Sequence, residues 1–249
     1  MMLQPGSTIG ILGGGQLGRM LAVAAARLGY KCHVYAPDEA LPPAAEVAAL
    51  FTRGDYGDEA ALARFGASVD VATYEFENIA AAPLAALAAE TPLFPPRRSL
   101  EIAQDRLAEK EFVQSLGGRP ACFAAVHDRA GLDAAVAALG TPAILKTRRF
   151  GYDGKGQARI FSPADADEAW KALRGAPAVL EAFVEFTAEF SILLCRSASG
   201  ETVFWDAPRN VHEKGILERC LVPAGSDLAA HVEEARALSL RIADALGHV

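Results

Sequence analysis

The chain has 249 residues, 51% hydrophobic and 22% charged, with 31 acids against 24 bases and a formal net charge of −7. That length accommodates one large domain or two ordinary ones, and the negative balance argues against nucleic acid as the main partner, because phosphate binding is driven by basic surfaces. No apolar run approaches the ~20 residues of a membrane helix, and the N-terminus MMLQPGSTIG has no basic region followed by an apolar one.

Strands are expected at 8–12, 31–36, 48–52, 69–73 and 92–94, with helices at 16–29, 58–65 and 80–89. Such alternation predicts a parallel sheet with helices on its faces. In the first helix Leu17, Leu21, Ala24, Ala25 and Leu28 lie along one face, the expected buried side. TPLFPPRRS then punctuates the chain, and Ser99 is placed to cap a helix, LEIAQDRLAEKEFVQSLG, that stops at Gly117-Gly118. This divides the chain into a domain over 1–95, a linker helix over 96–120 and a second domain over 121–249. In the latter, strands are expected at 121–126, 143–147, 157–161 and 177–181 and helices at 129–139 and 163–173. Strands at 188–196, 202–207 and 216–221 follow with no helix between them, which predicts antiparallel sheet, and a helix spans 227–246. Cys32, Cys122, Cys195 and Cys220 form no C-x-x-C pair and read as buried, reduced thiols of a cytoplasmic protein.

Two glycine-rich loops carry the chemistry. Gly13-x-Gly15-x-x-Gly18 sits between the first strand and the first helix, and Asp38 follows about twenty residues later, the arrangement of a dinucleotide-binding turn with its ribose acid. Glycines here also serve a tight turn and close helix–strand packing. The second loop is GYDGKGQ, residues 151–157. Gly151, Gly154 and Gly156 permit positive φ and close backbone approach to an anion, and Lys155 adds a cation. Lys146 ends the apolar strand before it, with Arg148 and Arg149 alongside, a grouping suited to a polyphosphate. Neither loop is a Walker A motif, since no Gly-Lys-Ser/Thr closes it.

AILKTRRFGYDGKGQ, with IAQDRLAEK before it and LEAFVEFTAEFS and NVHEKGIL after it, resembles the ATP-grasp superfamily. GILGGGQLGRML and TYEFENI narrow the resemblance to the N5-carboxyaminoimidazole ribonucleotide synthetase family of purine biosynthesis, over essentially the whole chain. The resemblance implies an α/β fold: a Rossmann-like pre-ATP-grasp domain followed by an ATP-grasp α+β domain. It implies a ligase that uses ATP and bicarbonate to carboxylate aminoimidazole ribonucleotide through carboxyphosphate, acting as a homodimer with Mg2+. It assigns Arg106, Lys146, Gly151, Tyr152, Asp153, Gly154, Lys155, Gly156, Gln157, Glu189 and His212 to ATP, with Glu181, Ala182, Phe183 and Val184 as the strand edge that reads adenine. Gln16, Leu17, Glu75, Tyr152, Asp153 and Lys155 are assigned to the ribonucleotide, Asp153 and Lys155 being the catalytic candidates. Read on their own, Arg106, Glu181 and Glu189 are ordinary surface charges, His212 is a surface or satisfied histidine and Tyr152 is a loop aromatic.

The family continues past IADALGHV, and its acidic magnesium ligands are expected beyond Val249, so the resemblance implies an ATP-grasp domain truncated at its C-terminus. On that expectation the 249-residue chain alone is poorly soluble or unstable and lacks ATP-dependent carboxylation. Two other readings stay open: an NAD-dependent oxidoreductase built on Gly13–Gly18 and Asp38, and a non-catalytic nucleotide-binding fragment. A glycinamide ribonucleotide transformylase of the same superfamily is disfavoured by Glu75-Phe76-Glu77-Asn78 and the GYDGKGQ loop.

Overall fold

The computed structural model describes residues 3–151, 155–213 and 216–249, and the chain divides into two compact units, Met1–Glu101 with Leu246–Val249, and Ile102–Ala245. In the first unit β1 (Thr8–Leu12), β2 (Lys31–Ala36), β3 (Leu50–Arg53) and β4 (Val71–Tyr74) form a parallel sheet in the order β3-β2-β1-β4. Successive side chains go to opposite faces, and both faces are covered. Leu12 and Tyr35 join Leu62, Phe65, Leu84 and Leu87 from helices α2 (Glu59–Gly66) and α3 (Leu84–Glu90). Ile11 and Val34 join Ala22 of α1 (Gln16–Arg27) and Ala44 on the other side. The expected strand at 92–94 is reduced to a single bridge between Ala72 and Leu93; Pro92 and Pro95 on either side cannot donate to a ladder.

The apolar stripe of α1 faces the other way from the expectation. Leu17 is 62% and Leu28 70% exposed, and Gly18 and Ala22 are the buried residues, with Ala25 partly buried beside them. Close approach selects the small residues: a Cβ on Gly18 would lie 2.9 Å from the Gly13 carbonyl oxygen and 3.1 Å from the Ala44 Cβ. The cysteine expectation is likewise corrected, because Cys32 alone is buried while Cys122, Cys195 and Cys220 are exposed, and all four are free thiols.

The single helix expected over 100–117 is two, α4 (Arg97–Ala103) and α5 (Arg106–Ser115). Asp105 breaks it by taking extended backbone and capping α5 through the Leu107 and Ala108 N–H groups. Ser99, the expected cap, lies inside α4 and its hydroxyl meets His248 at 3.3 Å. In the second unit β5 (Phe123–Val126), β6 (Ala143–Thr147), β7 (Gln157–Ile160) and β8 (Ala178–Ala182) form an antiparallel sheet in the order β5-β8-β6-β7. Val126, Ala143, Leu145, Ala178 and Leu180 pack on α6 (Arg129–Leu139) and α7 (Ala166–Ala172). Alternation puts Phe123, Ile144, Lys146, Val179 and Glu181 on the opposite face.

The strand expected over 188–196 splits into β9 (Glu189–Phe190) and β10 (Leu194–Arg196), the latter paired with β11 (Thr202–Phe204). A further strand, β12 (Arg209–Glu213), lies between β9 and β13 (Ile216–Leu221), all antiparallel. Its sequence RNVHE is polar and has no apolar alternation to announce it. Helix α8 (Ala229–Leu246) follows, with Val232 buried beside Leu228, Ala207 and Ala224. Among the described residues no helix is long and apolar enough to cross a membrane.

His33 on β2 is 7% exposed and holds Ser68 Oγ at 3.1 Å and Thr52 Oγ1 at 2.8 Å. Burial lowers its pKa from the usual 6.5. The folded state therefore favours the neutral ring, and the stability this confers is complete above the unfolded-state value and is lost as pH falls through the depressed native value. Urea unfolding is accordingly expected to show a lower midpoint at pH 5.5 than at pH 7.5, with that difference reduced in His33→Gln; an undiminished difference would assign the pH dependence to other groups.

Candidate active site

In the first unit the glycine turn is folded against its own chain. Gly13 has φ 127°, and a Cβ there would fall 2.5 Å from Glu75 Oε1. Glu75 lies just past β4, and its Oε1 accepts the Gly15 N–H at 3.0 Å. A Cβ on Gly14 would meet the Pro42 ring at 2.6 Å. The N–H that a dinucleotide fold would offer to pyrophosphate is thus engaged by a carboxylate, which disfavours a second anion at the same point. Beside it Tyr56 stacks on Phe76 with centroids 6.0 Å apart. Burial, then the Asp38 and Glu75 carboxylates, push the Tyr56 phenol well above its ordinary pKa. Gln16 and Leu17 are exposed on the first turn of α1, and Asp38 is exposed after β2.

In the second unit the sheet face opposite α6 and α7 carries a charged cluster. Lys146 Nζ donates to Glu181 Oε2 at 2.9 Å, and Lys110 Nζ, from α5, lies 3.2 Å from Glu181 Oε1. Glu181 is buried at 7% exposure, not the surface carboxylate its sequence setting suggests. The N–H groups of Ala182 and Phe183 are engaged by the Cys122 and Pro142 carbonyls at 2.8 and 3.1 Å. Val184, the next residue of this edge, is exposed and its N–H has no partner among the described residues. On the three-stranded sheet Glu189 Oε1 sits 3.3 Å from His212 Nδ1 and accepts from Asn210 Nδ2 at 3.4 Å.

The neck of the second glycine loop is held from α5. Arg106 donates from Nη1 to the Thr147 carbonyl at 2.8 Å and from Nη2 to the Gly151 carbonyl at 2.9 Å. A Cβ on Gly151 would lie 2.7 Å from Arg106 Nη1, so glycine admits the guanidinium. Thr147 N–H bonds the Gly156 carbonyl at 2.8 Å, and Gly156 has φ 69°. Lys155 and Gln157 are exposed on the returning arm; Tyr152, Asp153 and Gly154 lie outside the described residues. Arg148, read from sequence as a cation for the loop mouth, is instead paired bidentately with Asp105 at 2.9 and 2.6 Å, with Arg149 at 3.7 Å from the same carboxylate. Burial alone would raise the Asp105 pKa, but the Arg148 hydrogen bonds and the Ala108 and Leu107 N–H groups outweigh it and hold the carboxyl below its ordinary range.

Family models match this architecture in two parts, a ribonucleotide synthetase preATP-grasp domain over residues 6–104 and an ATP-grasp domain over residues 111–249. The N5-carboxyaminoimidazole ribonucleotide synthase of Brucella melitensis is 46% identical across 99% of this chain and 68% of its own length. The chain belongs to the N5-carboxyaminoimidazole ribonucleotide synthase family. A crystal structure of an ADP complex of such a synthetase superposes with a TM-score of 0.92 at 39% identity, covering 99% of this chain and 65% of that one. The Aspergillus clavatus enzyme in complex with ADP and 5-aminoimidazole ribonucleotide superposes with a TM-score of 0.86 at 26% identity, over 97% of this chain and 63% of that one. The chain therefore spans about two thirds of the length of these synthase relatives.

Two residues of this candidate site are not legible as such in the sequence. Asp105 had a sequence signal, an Asp directly before an amphipathic helix, that was obscured by reading 100–117 as continuous. Lys110 had none, because its partner lies 71 residues further along the chain. Asp105→Ala is expected to destabilise the chain by about 2–3 kcal/mol, since it removes a helix cap and leaves Arg148 without its partner. Chemical denaturation measures this, and a cost below about 0.5 kcal/mol, the size of an ordinary surface change, would show that the clamp carries little.

Proposed function

We propose that this chain is the ATP- and ribonucleotide-handling part of a ligase that carboxylates 5-aminoimidazole ribonucleotide with bicarbonate, forming N5-carboxyaminoimidazole ribonucleotide, ADP and phosphate. The observation that carries the reading is the Lys146–Glu181–Lys110 cluster on the sheet face away from α6 and α7, next to a glycine loop whose neck is braced by Arg106. Lys146, Lys110 and Arg106 outnumber the Glu181 and Glu109 carboxylates around them, which leaves positive charge beside backbone able to approach an anion, the requirement of a polyphosphate site.

In this reading Lys146 and the backbone of the 151–157 loop hold the ATP phosphates and stabilise charge as the γ-phosphoryl passes to bicarbonate. The unpartnered Val184 N–H reads the adenine edge, and Glu189, steadied by Asn210 and His212, accepts from the ribose hydroxyls. The ribonucleotide amine then attacks the carboxyl carbon of carboxyphosphate, phosphate leaves, and Asp153 or Lys155 handles the amine proton. Gln16, Leu17 and Glu75 contribute to ribonucleotide binding. Arg106 acts on nucleotide through the loop carbonyls it holds. Mg2+, a homodimeric assembly and a cytoplasmic setting complete the proposal on the family resemblance. No group of three or more His, Cys, Asp or Glu suited to a metal ion occurs among the described residues.

The NAD-dependent alternative is disfavoured by the Glu75 carboxylate on the Gly15 N–H. A thermal-shift panel separates the readings. ADP or ATP at a hundredfold excess over Kd is expected to raise the unfolding midpoint by about 5–10 °C, NAD to leave it unchanged, and Lys146→Met to weaken ADP binding by about tenfold or more. A shift with NAD that disappears in Asp38→Ala, with no shift from ADP, would overturn the proposal.

A further inference from the structure

The lysine pair on Glu181 has a consequence for how nucleotide is admitted. Lys146 donates to Glu181, and side-chain exposure is 24% for Lys146, 9% for Glu181 and 17% for Lys110. Taken alone, Lys146 and Glu181 form a neutral pair. A phosphate drawing the Lys146 ammonium toward itself would then leave a buried carboxylate uncompensated, a costly state. Lys110 removes that conflict, because it approaches the other oxygen, Oε1, at 3.2 Å. Lys110 stands one turn after Arg106 on α5, and its Nζ lies 5.9 Å from the centroid of the Phe123 ring. Phe123 is in turn the register partner of Glu181 across the β5–β8 pair.

We propose that Lys110 is a positioning residue for nucleotide: it keeps Glu181 neutralised so that the Lys146 ammonium is available to phosphate. Lys110 itself touches no nucleotide. The inference rests on the reading of Lys146 as the phosphate ligand.

The test is a double-mutant cycle on this chain with ADP as the probe, read by titration calorimetry beside the unfolding midpoint. Lys110→Met is expected to weaken ADP about tenfold, by restoring the competition between carboxylate and phosphate for Lys146, whereas Lys110→Arg stays within about twofold. In the Glu181→Gln background, where Glu181 no longer needs compensation, adding Lys110→Met is expected to change ADP affinity by less than about twofold. A merely structural role for Lys110 would instead give the same loss in both backgrounds. Equal loss, or no loss from Lys110→Met in a folded protein, overturns the inference while leaving the nucleotide site intact. Should Lys110→Met fail to fold, the comparison of Glu181→Gln with the double variant decides, and a double variant that is unfolded or tenfold weaker overturns it. Absence of ADP binding by the unsubstituted chain would instead sink the nucleotide reading itself, and the inference with it.

Discussion

Asp105 sets the geometry on which the second unit's site depends. Its carboxylate does two jobs at once: it starts α5 by capping the N–H groups of Leu107 and Ala108, and it grips the Arg148 guanidinium just past the end of β6. Those contacts tie the start of α5 to the neck of the glycine loop. Arg106, one residue later, then reaches the Thr147 and Gly151 carbonyls, and Lys110, a turn further, reaches Glu181. The carboxylate is partly withdrawn from water, where an ion pair is worth keeping only if its geometry is good and its remaining lone pairs are used. Here two backbone N–H groups and a bidentate arginine use them.

The sheet of the second unit divides structural work from chemical work by strand alternation. One face presents Ala143, Leu145, Ala178 and Leu180 to two helices and is dry. The other carries Lys146 and Glu181 on adjacent strands. A one-residue slip of β6 against β8 would move the lysine into the helix-packed core, so the apolar face holds the charged one in register. The glycine loop grows from the end of β6, which is why its neck hydrogen bonds begin at Thr147.

A different logic operates in the first unit. Its glycine turn has the spacing of a dinucleotide-binding loop, yet each glycine is explained by the chain itself: Glu75 crowds Gly13, Pro42 crowds Gly14, and the Gly13 carbonyl crowds Gly18. The carboxylate of Glu75 takes the Gly15 N–H, so the same spacing of glycines here serves a turn closed on the chain itself.

The sequence by itself determined most of the architecture. Strand–helix alternation, glycine and proline punctuation and the apolar runs located β1, β2, β6, β7, β8 and most helices, because those signals are local and both faces of a buried sheet must be apolar. The motifs in GILGGGQLGRML, TYEFENI and GYDGKGQ, taken together, indicated the family. Where local pattern misled, tertiary structure had overruled it. The leucines of α1 look inward by periodicity and lie outward, because the side against the sheet is taken by Gly18, close to the Gly13 carbonyl, and by Ala22, packed on Ile11, Val34 and Ala44. Strand β12 is polar and exists because β9 and β13 flank it. The state of each charge was also decided only in three dimensions. Arg148 reads as a cation for the loop mouth and Glu181 as a surface carboxylate, yet one is clamped to Asp105 and the other buried between two lysines from separate elements. An ion pair depends on which side chains the fold brings within a few ångströms, and partners 35, 43 and 71 residues apart leave no local periodicity from which that could be read.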